Sequence, residues 1–179
     1  NTSSSGFNGK LLVELSGTLA GDVSALSIAA DDTTVRGLVI NSFSGGFGAV
    51  AAGQVVNLHI EGNLIGTNAT GTTAIPNQVG IAIEDIVSGS IGGTSPAARN
   101  VISGNVLDAI DAYPNQFLAT TTLSIQGNFI GLAADGTSPL ANGRHGIFLA
   151  SPSSGTTIGG IAPGAGNRIA FNAGAGVLL

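Results

Sequence analysis

Cysteine is absent from the 179 residues, and so are methionine and tryptophan. Without cysteine the chain has no disulfides, no thiolate chemistry and no cysteine-based metal site, and its redox compartment cannot be inferred. Aromatic residues make up only 4% of the sequence, as seven phenylalanines and the single tyrosine Tyr113. A sugar-binding face built from a row of aromatic rings is therefore not expected.

Charge is also scarce, at 8% of residues against about a quarter in average soluble proteins. The net charge of −5 comes from ten acids and five bases scattered singly. With no basic stripe and no polybasic or amphipathic helical segment, neither nucleic acid nor a membrane surface is expected as a partner. No apolar run approaches the roughly 18 residues of a membrane-spanning helix. No leader is visible, and the start at Asn1 predicts a removed leader or an excerpted chain.

Hydrophobic residues and glycine are abundant, with 43% hydrophobic content and 29 glycines. Glycine at this frequency argues against long helices, since each interior glycine costs about 1 kcal/mol relative to alanine. Short runs of Val, Ile, Leu and Thr alternate with Gly, Asn and Ser, which is typical of many short strands joined by turns. The composition therefore predicts an all-β protein.

The sequence contains an internal repeat. Residues 57–66 read Asn-Leu-His-Ile-Glu-Gly-Asn-Leu-Ile-Gly and return at 122–131 with six of the ten residues identical. Downstream positions also match, and the offset grows only from 65 between Gly62 and Gly127 to 67 between Asn105 and Asn172. Self-similarity at a fixed spacing is typical of repeat architectures.

Two kinds of strand alternate within the repeat. One kind follows a small-apolar-x-apolar pattern and starts at Gly80, Ala109, Gly146 and Gly176. The other ends in Ile-x-x-Asn, at Asn63, Asn105, Asn128 and Asn172. A unit of about 30 residues with two or three short strands is one coil of a solenoid.

Stacked coils impose a defined side-chain pattern, because each strand pairs with its equivalents one coil above and one below. We expect four apolar residues to point inward and their polar neighbours outward: Leu58, Ile60, Leu123 and Ile125 against His59, Glu61, Ser124 and Gln126. The recurrent asparagines are expected at corners, where asparagine tolerates left-handed angles and stacked amides bond along the axis. Phe43 takes the asparagine position after Ile40, so that ladder is not expected to reach its coil.

Three segments, residues 35–41, 62–72 and 91–105, resemble those of large secreted bacterial proteins built of right-handed parallel β-helix repeats. Such proteins are similar in fold to pectate lyases. The resemblance implies an all-β, right-handed, single-stranded parallel β-helix, secreted or on the cell surface, of the non-catalytic repeat type. It covers residues 35–179, and residues 1–34 are expected to form an opening coil or cap-like segment continuous with the solenoid, one domain in all. Parallel crossovers are generally right-handed.

The densest acidic region consists of Glu84, Asp85, Asp108 and Asp111. Stacked coils could gather some of these carboxylates into a calcium site, because hard cations take several oxygen ligands. No spaced Asp-x-Asp-x-Asp-Gly motif is present, which favours solvated turn and outer-face residues instead. Asp135, before Gly136, is replaced by Thr70 in the first copy of the repeat, and we interpret it as a turn residue.

The two histidines, His59 and His145, are interpreted as surface residues, because no Gly-x-Ser-x-Gly elbow holds a serine for either. Four arginines lie far apart in the repeat and are expected to anchor loops by bonding carbonyls: Arg36, Arg99, Arg144 and Arg168. The threonines at 120–122 and 156–157 do not continue through every coil, as an ice-binding face would require. Asn68 begins a formal glycosylation acceptor, Asn-Ala-Thr.

We therefore predict a non-catalytic structural or adhesive β-solenoid module with no catalytic residues, cofactor or metal. Its expected partner is itself, by end-to-end stacking into filaments, or an extracellular glycan. One alternative is a polysaccharide lyase or hydrolase that acts on acidic glycans at an outer groove. Another is a β-helix that binds carbohydrate without turnover and depends on Tyr113.

Overall fold

The computed structural model describes residues 13–45, 47–84, 88–113, 122–150 and 155–179. Asp85 and residues 120–121 therefore lie outside the described residues. The described ranges contain seventeen short strands and one turn of 3-10 helix, Pro96–Ala98, and no α-helix. All pairs between these strands are parallel, in three sheets. The prediction of an all-β parallel β-helix is confirmed.

The strands fall into three sheets, which we call A, B and C. Sheet A contains β1 (Val13–Ser16), β4 (Leu38–Asn41), β7 (Leu64–Ile65), β10 (Val101–Ile102), β13 (Phe129–Ile130) and β16 (Arg168–Ile169). Sheet B contains β2 (Leu26–Ile28), β5 (Val50–Gly53), β8 (Ile81–Glu84), β11 (Ile110–Tyr113), β14 (Ile147–Leu149) and β17 (Val177–Leu178). Sheet C contains β3 (Thr34–Arg36), β6 (Leu58–Glu61), β9 (Ser88–Gly92), β12 (Thr122–Gln126) and β15 (Thr157–Ile158).

The chain visits sheets A, B and C in turn, so that each strand pairs with the strand three further along. In sheet A the register places Val39 beside Leu64, and Leu64 beside Val101, which pairs with Phe129. The length of a coil therefore alternates: the coil from Val39 to Leu64 is short, and the coil from Leu64 to Val101 is long. The long coils carry extra loops at 67–78 and 93–99, repeated at 132–143 and 160–166. The sequence repeat of 65 residues is therefore two coils.

The tube is filled by aliphatic residues from all three sheets. The predicted inward residues Leu58, Ile60, Leu123 and Ile125 are buried. Their polar neighbours on β6 and β12 alternate with them and are half-buried on the outer side, as predicted. Each fully buried aliphatic side chain contributes about 1.5–3 kcal/mol. The inner columns are thus the largest apolar contribution to stability.

A second apolar cluster lies outside the tube, on the outer face of sheet A. It consists of Val39, Leu64, Val101 and Phe129, one above the other, packed with Leu132. Alanines from the loops 67–78 and 132–143 contact it, and these two loops bond to each other through Ala134 N–H and Gly71 O at 2.9 Å. The loops therefore act as a lid that buries the outer side of the sheet, which we had not predicted.

The corner asparagines form two ladders instead of the single class expected from the sequence. The ladder between sheets C and A is Asn63, Asn100, Asn128 and Asn167. The ladder between sheets A and B is Asn77, Asn105, Asn142 and Asn172. In the long coils an extra loop lies between the isoleucine and the asparagine of the Ile-x-x-Asn motif. The motif is therefore interrupted in alternate coils, and half of the asparagines of each ladder were not predicted from it.

In each ladder every asparagine before the last donates from Nδ2 to Oδ1 of the asparagine in the next coil, at 2.8–3.1 Å. The second ladder stops at Asn77, whose Oδ1 accepts from the backbone N–H of Phe43 at 3.1 Å, as predicted. The left-handed angles fall on the preceding residues, such as Gly62 and Gly127, and not on the asparagines. This corrects our expectation, because a ladder asparagine must direct its amide along the axis.

Candidate functional site

The acidic residues of sheet B have different environments. Asp108, at the corner before β11, is fully buried. Its Oδ1 accepts from the backbone N–H of His145 at 2.9 Å, and its Oδ2 accepts from Arg144 Nη1 at 3.2 Å. The prediction of a solvated turn residue is wrong for Asp108, because the next coil presents an N–H that needs an acceptor there.

Asp111 lies on the outer side of β11 and is half-buried. Its Oδ1 is buried and has no hydrogen-bond partner. Burial raises the pKa of Asp111, nearby Asp108 raises it further, and Arg144 offsets part of the rise. Within the described ranges no three His, Asp or Glu side chains come close enough to hold a metal ion.

A shallow groove of about 280 Å³ crosses the outer face of sheet B. Ala51, Gly53 and Ala82 are among the residues that line it, and Ala51 pairs with Ala82 in register. Among the described residues its aromatic lining consists of Phe47 and Tyr113, and Glu84 adds a carboxylate. Burial raises the pKa of Tyr113, and the negative charges of Asp111 and Glu84 raise it further.

His59 belongs to a hydrogen-bond chain on the outer face of sheet C. Its Nε2 lies 2.9 Å from Asn57 Oδ1, and its Nδ1 lies 2.7 Å from the Ser90 hydroxyl of the next coil. Asn57 Nδ2 in turn donates to Asp32 Oδ1 at 2.8 Å. An amide oxygen only accepts, so Nε2 carries the proton and Nδ1 of the neutral ring accepts from Ser90.

The structure thus places Ser90 beside His59, a pair that was not predicted because the two residues are one whole coil apart in the sequence. A serine–histidine pair is the start of a nucleophile, but acyl transfer also needs donors for the oxyanion. Ser90 lies in the middle of β9, which pairs with strands on both sides. The surrounding backbone N–H groups are therefore used by the sheet. We interpret this hydrogen-bond chain through His59 as a link between neighbouring coils.

His145 has a similar linking role at the corner before sheet B. Its Nδ1 accepts from the backbone N–H of Ala175 in the next coil at 2.9 Å. The ring also packs near Phe148, with centroids 6.1 Å apart. Both histidines are half-buried members of hydrogen-bond networks, and so are more constrained than free surface residues.

The arginines divide into two pairs. Arg99 and Arg168 bond loop carbonyls as predicted, through Gly127 O at 2.9 Å and Gly136 O at 3.0 Å. Both also stack on the ring of Phe129, at 4.3 and 5.8 Å from its centroid. Burial, and then the positive charge of Arg168, lower the pKa of Arg99.

The other two arginines bind carboxylates instead of carbonyls. Arg36 pairs with Glu61 of the next coil at 3.1 Å on sheet C, and Arg144 pairs with Asp108 at 3.2 Å. The carbonyl-anchoring prediction is wrong for these two, because the register places an acid within reach of each.

Asp135 holds the turn of its own loop, as predicted. Its Oδ1 accepts from the backbone N–H groups of Thr137 at 2.7 Å and Ser138 at 2.8 Å. The Ser138 hydroxyl, which donates to Oδ2, and then these two backbone N–H groups lower the pKa of Asp135 to about 2. In the first loop the same role is taken by Asn68, whose Oδ1 accepts from the N–H groups of Thr72 and Thr73. Asp135 is therefore a turn residue.

The chain is a parallel β-solenoid with repeat architecture, so the fold that the resemblance implied is confirmed. No protein-family model matches the chain, and no curated protein or solved structure is significantly similar to it. In the part of the chain that the structure describes, no helix has the length and apolar character needed to cross a membrane.

Proposed function

We propose that this chain is a non-catalytic structural or adhesive β-helix module of a secreted or cell-surface protein, of the kind that the repeat segments resemble. The observation that carries the proposal is how the buried polar groups are used. Fully buried Asn63, Asn100 and Asn128 bond to one another and to backbone carbonyls, for example Asn100 Nδ2 to Ile60 O at 2.8 Å. The single fully buried carboxylate in the described residues, Asp108, caps the next coil.

Such a distribution supports a role in rigidity. Polar side chains in a binding or catalytic site are left available to a ligand, whereas these are consumed by the scaffold. The outer lid over sheet A and the ion pair between Arg36 and Glu61 also join neighbouring coils. Stiffness along a rod suits a spacer or an adhesive stalk, and such modules can also stack end to end into filaments.

Removal of one complete sequence repeat tests the proposal. Deletion of residues 64–128 places Phe129 where Leu64 pairs, so the shortened solenoid keeps its register. We expect immunolabelling of intact source cells to find the full protein at the surface. Cells with the folded, shortened protein are expected to retain labelling and adhesion. An intracellular location, or loss of adhesion with a shortened protein that circular dichroism shows to be folded, would contradict the structural role.

The enzymatic alternative has its own assay. A uronic-acid polymer is incubated with the protein with and without calcium, and the release of unsaturated or reducing ends is followed. We expect no turnover. Turnover that Asp111→Asn abolishes, without lowering the melting temperature, would replace the structural proposal by a lyase or hydrolase. Asp108→Asn is less informative, because it also removes a buried corner contact.

A further inference from the structure

We propose that the groove on the outer face of sheet B binds a neutral, hydroxyl-rich ligand, an oligosaccharide without uronic acids. The proposal is independent of the structural role and rests on the shape, the aromatic residues and the charge of this groove. Its floor is low because β5 and β8 place alanine and glycine outward, at Ala51, Gly53 and Ala82. The next coils place the larger Asp111 and Phe148 in the column of Ala82.

Two aromatic side chains line this groove, in a chain where aromatics are scarce. Phe47 is 65% exposed, and Tyr113 is half-buried. Elsewhere Phe43 is buried and Phe129 is covered by Arg99, so these rings are used by the scaffold. An apolar floor with aromatic walls complements the C–H faces of a sugar ring, and a few polar groups then fix its orientation.

The described polar side chains that line the groove are one carboxylate, Glu84, and two hydroxyls, Ser27 and Tyr113. Tyr113 pairs with Glu84 in register, so the phenol and the carboxylate lie side by side on the outer face. A carboxylate accepts from ligand hydroxyls, and the two protein hydroxyls can both donate and accept, which matches the hydroxyl groups of a sugar. Among the residues that the structure describes, no lysine or arginine lines the groove, so the carboxylate of Glu84 would repel a uronic acid. Charge complementarity therefore selects neutral sugars over the acidic glycans of the enzymatic alternative.

Titration calorimetry of the intact chain with hexasaccharides of glucose, xylose, mannose and galacturonic acid tests the site. We expect at least one neutral hexasaccharide to bind, and hexagalacturonate to bind at least tenfold more weakly. Tyr113→Ala and Phe47→Ala are each expected to weaken binding about tenfold. Ala51→Leu fills the floor and is expected to abolish it. Phe171→Ala removes an exposed ring outside the groove, 53% exposed, and is the matched control.

Thermal unfolding of each variant separates loss of binding from loss of fold. The proposal is overturned if no neutral hexasaccharide binds, or if binding survives both aromatic substitutions and Ala51→Leu in folded protein. Tighter binding of hexagalacturonate would overturn the neutral ligand class. So would a preference for a glucosamine hexasaccharide that Glu84→Gln abolishes, since that ligand is basic.

Discussion

At the scale of single residues, a buried asparagine amide is the feature that joins one coil to the next. The amide has a donor and an acceptor on one short side chain, so it can serve two coils at once. Asn128 shows all of these bonds: Nδ2 donates to Asn167 Oδ1 and Ile91 O, and Oδ1 accepts from the N–H and Nδ2 of Asn100. Two donor hydrogens and an oxygen that accepts twice occur together only in an amide, and glutamine, the other amide, is longer.

Asn128→Asp should therefore be costly although it preserves the shape of the side chain. A carboxylate cannot donate a hydrogen bond. In the variant its buried oxygen would therefore lie against two other acceptors, Asn167 Oδ1 and Ile91 O. We expect the free energy of unfolding to fall by about 3 kcal/mol, measured by urea denaturation. Asn68→Asp is the control, because the side-chain hydrogen bonds of Asn68 all use Oδ1, and it should change stability by less than about 0.5 kcal/mol. Equal effects of the two substitutions would contradict this role.

Asp111 should make stability depend on pH. Its pKa is raised above the ordinary 3.8 by burial and then by Asp108, so the folded protein holds this proton more tightly than the unfolded chain. The contribution of this proton to the free energy of unfolding is fully present below about pH 3.8. It is lost as the pH rises through the raised pKa of Asp111 in the folded protein. We expect Asp111→Asn to raise the melting temperature at pH 7 relative to the wild type, and to lose this advantage at pH 3. The exposed Asp22→Asn is the control, and a pH-independent difference would refute the prediction.

At the scale of elements, the corners before the extra loops require glycine for two reasons. Gly131 has a positive φ of 78°, and a Cβ there would overlap Ala170 O and the amide of Asn172 in the next coil. Gly159 has a similar φ of 82°, but a Cβ there would meet nothing within 4 Å. The pair therefore separates backbone strain from steric overlap.

Gly131→Ala and Gly159→Ala should differ by the cost of this overlap. We expect about 1 kcal/mol of destabilisation for Gly159→Ala, from the left-handed backbone alone. Gly131→Ala should cost about 2 kcal/mol more, because Cβ also displaces the neighbouring coil. Chemical denaturation of both variants measures the difference. Equal losses would mean that the corner relaxes without disturbing the ladder.

The length of a strand decides whether the direction of its side chains can be predicted from sequence periodicity. Alternation in β6 correctly predicted Leu58 and Ile60 inside, because a four-residue strand displays its period. Strand β7 has only two residues, Leu64 and Ile65, and both are buried. Nothing local shows that Leu64 points outward, since its cover is a loop that returns over the sheet. The lid and its apolar cluster were missed for this reason.

At the scale of the whole molecule, the repeat and the average coil could be predicted from the sequence, but the lengths of the individual coils could not. Extra loops in alternate coils change the spacing, so the sequence did not show that Ser90 stacks on His59 or Asn100 on Asn128. The groove on sheet B was hidden for the same reason, because Ala51, Ala82 and Tyr113 come from three different coils. Contacts between coils depend on register, and register is fixed only when all the loops are placed.

The same geometry predicts which substitutions are coupled. Each coil bonds only to its two neighbours, so stability should be a sum of nearest-neighbour terms. Asn100 and Asn128 are adjacent in one ladder and bond at 3.0 Å, whereas Asn142 belongs to the other ladder and shares no partner with Asn100. A double-mutant cycle of Asn100→Ala with Asn128→Ala should lose about 1–2 kcal/mol less than the sum of the single variants.

The control cycle combines Asn100→Ala with Asn142→Ala, which should be additive within about 0.5 kcal/mol. Both cycles are measured by urea denaturation of the four proteins at one pH. If the adjacent pair were also additive, each amide would act alone through its own backbone carbonyl, such as Ile60 O for Asn100. The ladder would then be a consequence of stacking and not a cause of it. Coupling confined to the adjacent pair would instead show that the amide chain itself transmits stability along the rod.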